Sequence, residues 1–136
     1  FNENYDHQHQ DIRKENGKQF GDLPEFMDFE YFKKNVGVNV SVLANLAKSP
    51  SKPENVKMDV KELTNFTTIH WEKPQNGEVL GYYVLMRETD SSTWQKKFFT
   101  KENSMKLPYS KDNYFFAVQA VNSSGNESLI VIPSVK

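Results

Sequence analysis

The chain of 136 residues contains no cysteine. That excludes thiol catalysis, disulfide bonds and cysteine-ligated zinc, and it leaves the compartment open. No apolar run approaches the ~20 residues that a membrane-spanning helix needs. The head is polar, without the basic-then-apolar order of a secretion signal. An excess of one charge is also missing: 17 Lys and Arg against 18 Asp and Glu leave −1. With the cations scattered, nothing points to nucleic acid. No Arg-Gly-Asp triplet is present, because Gly21-Asp22 lacks the arginine. What is there suffices for a buried core: 37% hydrophobic and 26% charged residues rule out wholesale disorder. The length suits one domain and part of another, and it is short for most catalytic domains. Residue 1 is Phe, and the pattern is under way at once, so we expect a piece of a longer chain.

Residues 1–23 are polar and hold His7 and His9, two of the three histidines. Asn16-Gly17 and Gly21-Asp22 are turn signals, which predict loop with a short hairpin. From Asp22 the pattern changes. Pro24 suits a first helical turn, and Glu25 and Asp28 complement the positive end of the dipole. Phe26, Phe29, Phe32, Val36, Val40, Leu43 and Ala47 recur at three- and four-residue steps. Met27, Tyr31, Val38, Val42 and Leu46 form a second stripe beside them. The expectation is a helix over 24–47 with too wide an apolar perimeter to stay in water. It must dock on something, either a domain upstream or the segment downstream, and cut off from its parent it is expected to self-associate or fray.

Lys48-Ser49-Pro50-Ser51-Lys52-Pro53 breaks the helix and marks a boundary, which gives 1–48, a linker at 49–53 and a second domain at 54–136. Short extended segments then alternate with turns: Glu54–Val60, Thr67–Trp71, Leu80–Arg87, Trp94–Thr100, Ser104–Leu107, Tyr114–Val121 and Ser128–Pro133. Tyr114, Phe116, Val118 and Ala120 share one face, and Asn122-Ser123-Ser124-Gly125 ends the run in a turn.

The run Tyr-x-Phe-x-Val-x-Ala-Val-Asn-x-x-Gly at 114–125 resembles a strand and turn of the fibronectin type III family. Trp71 and Gly81-Tyr82-Tyr83-Val84 resemble its buried tryptophan and its third strand. The resemblance runs from Pro53 to Pro133. It implies a mainly β, immunoglobulin-like sandwich of seven strands, preceded here by a loop and one long helix. Leu107-Pro108 before Tyr114 suits a tyrosine corner, with seven residues from Leu to Tyr where that family usually has six.

The candidate chemistry lies in the polar head. Two histidines in a Gln-rich loop read most simply as solvated hydrogen-bonders. The sharper reading is metal ligation by imidazole, with Asp11, four residues after His7, holding the other ring nitrogen. Residues 1–47, with Gly-Asp-Leu-Pro-Glu-Phe and a helix ending Leu-Ala-Asn-Leu-Ala-Lys-Ser-Pro, resemble the C-terminal end of bacterial co-catalytic di-zinc aminopeptidases. Glutamate carboxypeptidases and the transferrin receptor ectodomain are relatives of those enzymes. The resemblance implies that His7 is the last zinc ligand, with His9 the alternative one step on, and that Asp11 supports it from behind. Gln8 stands where that family usually has Thr. It further implies two zinc ions in the intact parent, a peptide substrate, a catalytic domain as partner, and a secreted, periplasmic or envelope location. The remaining ligands and the catalytic glutamate would lie upstream, so the chain alone is expected to be inactive. A rival reading is a non-catalytic adhesion or interaction module with a covering helix.

Two weaker motifs remain. Trp94 and Phe98, placed on one face by a two-residue alternation, could offer a sugar or peptide platform, although core packing competes for that face. Asn39, Asn65, Asn122 and Asn126 begin Asn-x-Ser/Thr triplets, which an Asn-rich chain carries by chance and which bacteria rarely use.

Overall fold

The computed structural model describes residues 4–61 and 63–135, so positions 1–3 at the head of the polar segment, 62 and 136 lie outside the account. The chain packs as two compact units, 1–41 and 42–136.

In the first unit, β1 (Arg13–Glu15) and β2 (Lys18–Phe20) pair antiparallel around Asn16-Gly17. Both turn residues have positive φ, 50° and 80°, the backbone that a two-residue hairpin turn requires and that Asn-Gly adopts most readily. The Arg13 guanidinium lies 4.4 Å from the Phe20 ring centre. Helix formation differs from the expected start at 24. Pro24–Phe26 form only a single 3₁₀ turn, and Met27 is extended. The α-helix α1 runs from Phe29 to Lys48. Asp28 sets that start, because its carboxylate accepts the Tyr31 backbone N–H at 3.0 Å. No residue of α1 is buried.

The second unit begins inside α1. The Asn122 side-chain amide donates to the Lys48 carbonyl at 2.9 Å, and that of Asn126 to Asn45 Oδ1 at 3.2 Å. The last helical turn is thus tied to the turn after Val121, and one C-terminal carbonyl that the helix leaves unpaired is satisfied. Beyond it come β3 (Glu54–Met58), β4 (Thr67–Glu72), β5 (Gly81–Glu88), β6 (Lys96–Thr100), β7 (Ser104–Leu107), β8 (Tyr114–Val121) and β9 (Ser134–Val135). They form one sheet ordered β7-β4-β3-β9 and another ordered β6-β5-β8.

The core lies between the sheets. Ile69, Trp71, Tyr82, Val84, Met86, Leu107, Phe116, Val118 and Ala120 are buried there, and Tyr114 packs half-buried against them. Trp71 meets Tyr82 edge-on at 5.4 Å. At Gly81 a Cβ would come within 2.7 Å of both the Phe99 ring and the Thr100 carbonyl, so only glycine allows β6 to lie so close. The extra residue before Tyr114 is taken up in a turn, where the Asn113 N–H reaches the Ser110 carbonyl at 3.2 Å.

The expected last strand, Ser128–Pro133, is the main departure. Val131 and Glu127 make only isolated bridges to β8, at Val118 and Val121. Pro133 has no N–H to donate, and beyond it Ser134–Val135 pair parallel with Lys57–Met58 of β3.

Candidate functional site

In the first unit the polar loop at 4–8 and the segment that carries the 3₁₀ turn line an open cleft of about 560 Å³, with Asn4, His7, Gln8, Asp22, Leu23, Pro24, Phe26 and Met27 in its walls. His7 lies flat on Phe26, with ring centres 3.6 Å apart and planes 3° from parallel. The Asn4 side-chain amide donates to His7 Nδ1 at 3.1 Å, which leaves Nε2 as the nitrogen to face a ligand. Phe26 reaches this position because Pro24 turns the backbone by one 3₁₀ step, a role that helical periodicity did not reveal.

His9 is held differently. It has a φ of 55°, and its backbone N–H donates to both carboxylate oxygens of Asp22, at 3.0 and 3.2 Å. Asp11 is exposed. The His7 ring meets Asn4 and Phe26, and Asp22 shares the cleft wall with it. Asp6 pairs with Lys18, and that hydrogen bond holds its carboxyl below the usual aspartate range. No group of three or more His, Cys, Asp or Glu among the described residues could hold a metal ion.

The second feature is the outer face of the β6-β5-β8 sheet. The Arg87 guanidinium lies 4.5 Å from the Phe115 ring centre and 5.6 Å from that of Trp94. Lys97 sits 4.0 Å from the Tyr83 ring centre and pairs with Glu127, which also accepts from Gln119. Phe98 points the other way. It is opposite Val84 and packs on the core, so Trp94 and Phe98 do not share a face. The alternation fails at Trp94 because β6 begins only at Lys96. His70 faces outward, its Nε2 2.9 Å from the Asp59 carboxylate.

The sequence model of the fibronectin type III domain matches residues 51–133. The chain belongs to that family. Solved structures agree on the fold: the fibronectin type III domain of human collagen α-1(XX) chain (TM-score 0.50, 21% identity, covering 61% of this chain and 80% of that one). A fibronectin-type-III-like protein from Clostridium thermocellum gives a TM-score of 0.50 at 15% identity, covering 64% and 94%. Over 133 residues the chain is 41% identical to a probable zinc metalloprotease of Leptosphaeria maculans, covering 97% of this chain and 31% of the relative. A probable zinc metalloprotease of Pyrenophora tritici-repentis is also 41% identical, covering 97% and 28%. The chain spans under a third of the length of these curated relatives. They are fungal proteins, not bacterial ones as the peptidase resemblance implies.

Proposed function

We propose that this chain is part of a secreted zinc-dependent aminopeptidase of the co-catalytic di-zinc family, with residues 1–48 belonging to the catalytic domain and 54–136 forming an accessory fibronectin type III module. One observation carries the reading. The match to proteins named probable zinc metalloproteases spans 97% of the chain, so it takes in the polar head and α1 as well as the sandwich.

In this reading His7 gives one zinc ligand through Nε2, while Asn4 at Nδ1 and Phe26 against the ring fix its orientation. Asp11 is the supporting carboxylate that the resemblance implies, and His9 is the alternative ligand. When bound, the zinc ions supply a water acidic enough to attack a peptide carbonyl at neutral pH. The described residues do not complete such a centre, so the other ligands and the base must come from elsewhere in the full protein. The apolar stripe of α1, with Phe29, Phe32, Val36, Val40 and Leu43 all exposed, is the face that would dock on that catalytic domain. The β module packs beside the domain or positions the peptide.

The test uses the full-length protein. His7→Ala is expected to abolish hydrolysis of an aminoacyl anilide and to remove roughly one zinc equivalent by metal analysis, with His9→Ala close to wild type. The reverse pattern moves the ligand to His9. Full activity and full zinc content in both variants overturn the site.

A further inference from the structure

The four Asn-x-Ser/Thr triplets are not equivalent in the fold. Asn39 sits on α1, its amide donating to the Asn35 carbonyl at 2.8 Å, on a helix that needs cover. Asn122 and Asn126 spend their amides on Lys48 and Asn45, the two bonds that tie the helix end to the sandwich. Asn65 differs in its place and its bonding. Like Asn39 it is exposed, but it stands in the loop between β3 and β4, and its side chain makes no hydrogen bond among the described residues. Phe66 and Leu63 beside it are exposed apolar residues. Its triplet, Asn65-Phe66-Thr67, is the one of the four that ends in threonine and has no proline between.

We propose that Asn65 is the position at which this chain carries an N-glycan once folded, because a glycan on Asn122 or Asn126 would displace the amide bonds that tie the helix end to the sandwich. The co-reactant is a polyprenyl-diphosphate-linked oligosaccharide of the eukaryotic secretory pathway, which the secreted location proposed above would supply. The Asn65 amide nitrogen attacks C1 of the first N-acetylglucosamine, forming the C1–N bond. The C1–O bond to phosphate breaks, polyprenyl diphosphate leaves with the electron pair, and the amide loses one proton to a base of the transferase. The fold dictates the timing. In the folded sandwich Thr67 is fully buried, and its hydroxyl donates to the Tyr109 carbonyl at 2.7 Å, so the transferase cannot engage it. Transfer must precede the pairing of β4 with β7, on the emerging chain. The glycan then stands in solvent and covers Leu63 and Phe66.

This inference rests on the secreted location proposed above, and the experiment separates the two. The 136-residue chain is exported from yeast behind a cleavable leader and treated with an endoglycosidase. A mobility shift of one glycan is expected, with a glycopeptide carrying the residual sugar on Asn65. The shift should vanish in Asn65→Gln and persist in Thr67→Ser and Asn122→Gln. Refolded, unglycosylated protein offered to microsomal transferase should stay unmodified. A bare Asn65 in the exported chain, or glycan confined to the other three positions, overturns the proposal. Separately, the natural full-length protein is followed between cells and medium. Retention in the cytoplasm refutes the location and leaves the leader-borne result to decide the acceptor.

Discussion

Trp71 and His7 show how differently an aromatic ring is used in the two units. Trp71 is buried against Tyr82 at the centre of the sandwich, where it fills volume that no neighbour can supply. Trp71→Ala removes that volume and leaves a cavity, so it should cost about 3–5 kcal/mol of unfolding free energy by urea titration. A cost under about 1 kcal/mol would mean that the core collapses around the gap. His7, by contrast, lies at the mouth of a cleft, oriented by Asn4 and Phe26 and free of any core duty. Its ring is half-buried on Phe26, so replacement by Ala should cost the head about 1 kcal/mol or less and leave the unfolding of the sandwich unchanged by urea titration.

At the scale of elements, α1 is the unresolved debt of the fold. Twenty residues of helix bury none of their side chains, although Phe29, Tyr31, Phe32, Val36, Val38, Val40, Val42, Leu43 and Leu46 are apolar or aromatic. Four valines and Gly37 are weak helix formers, so propensity alone holds it poorly. The chain by itself should therefore self-associate through α1 or fray there. Light scattering that shows a monomer at high concentration, together with full amide protection over 29–48, would contradict this. Gly37 offers a second handle. A Cβ there meets nothing within 4 Å, so Gly37→Ala should stabilise the helix by about 1 kcal/mol, read as slower amide exchange. Slower exchange confined to other elements would show that α1 is not limited by its own backbone.

For the whole molecule, the two units predict different behaviour. The sandwich holds its own core, so 52–136 alone should give a dispersed NMR spectrum, and an unfolded spectrum would refute its independence. Among the described residues of the head, no group of three or more His, Asp or Glu stands together. Calorimetry of the isolated chain with zinc should show at most weak binding, since a tight site needs about four ligands. A stoichiometric nanomolar site would overturn that expectation, as would hydrolysis of an aminoacyl anilide by the metal-loaded chain.

The sandwich was legible because alternation is a local property. Tyr114, Phe116, Val118 and Ala120 must share a face in any extended chain, and a run of such segments with turns between them leaves few folds open. The wide apolar perimeter of the helix was legible for the same reason. Three things were decided only by tertiary structure. The helix starts at Phe29 because the Asp28 carboxylate caps it, a competition with Pro24 that periodicity does not score. The chain leaves β8 only after Val131 and joins β3 past Pro133, because Pro133 cannot donate and the edge of β3 was open to a parallel partner. Phe98 turns inward and Trp94 outward, because the register of β6 on β5 sets which face each residue meets, and a register is a relation between two segments that neither contains alone.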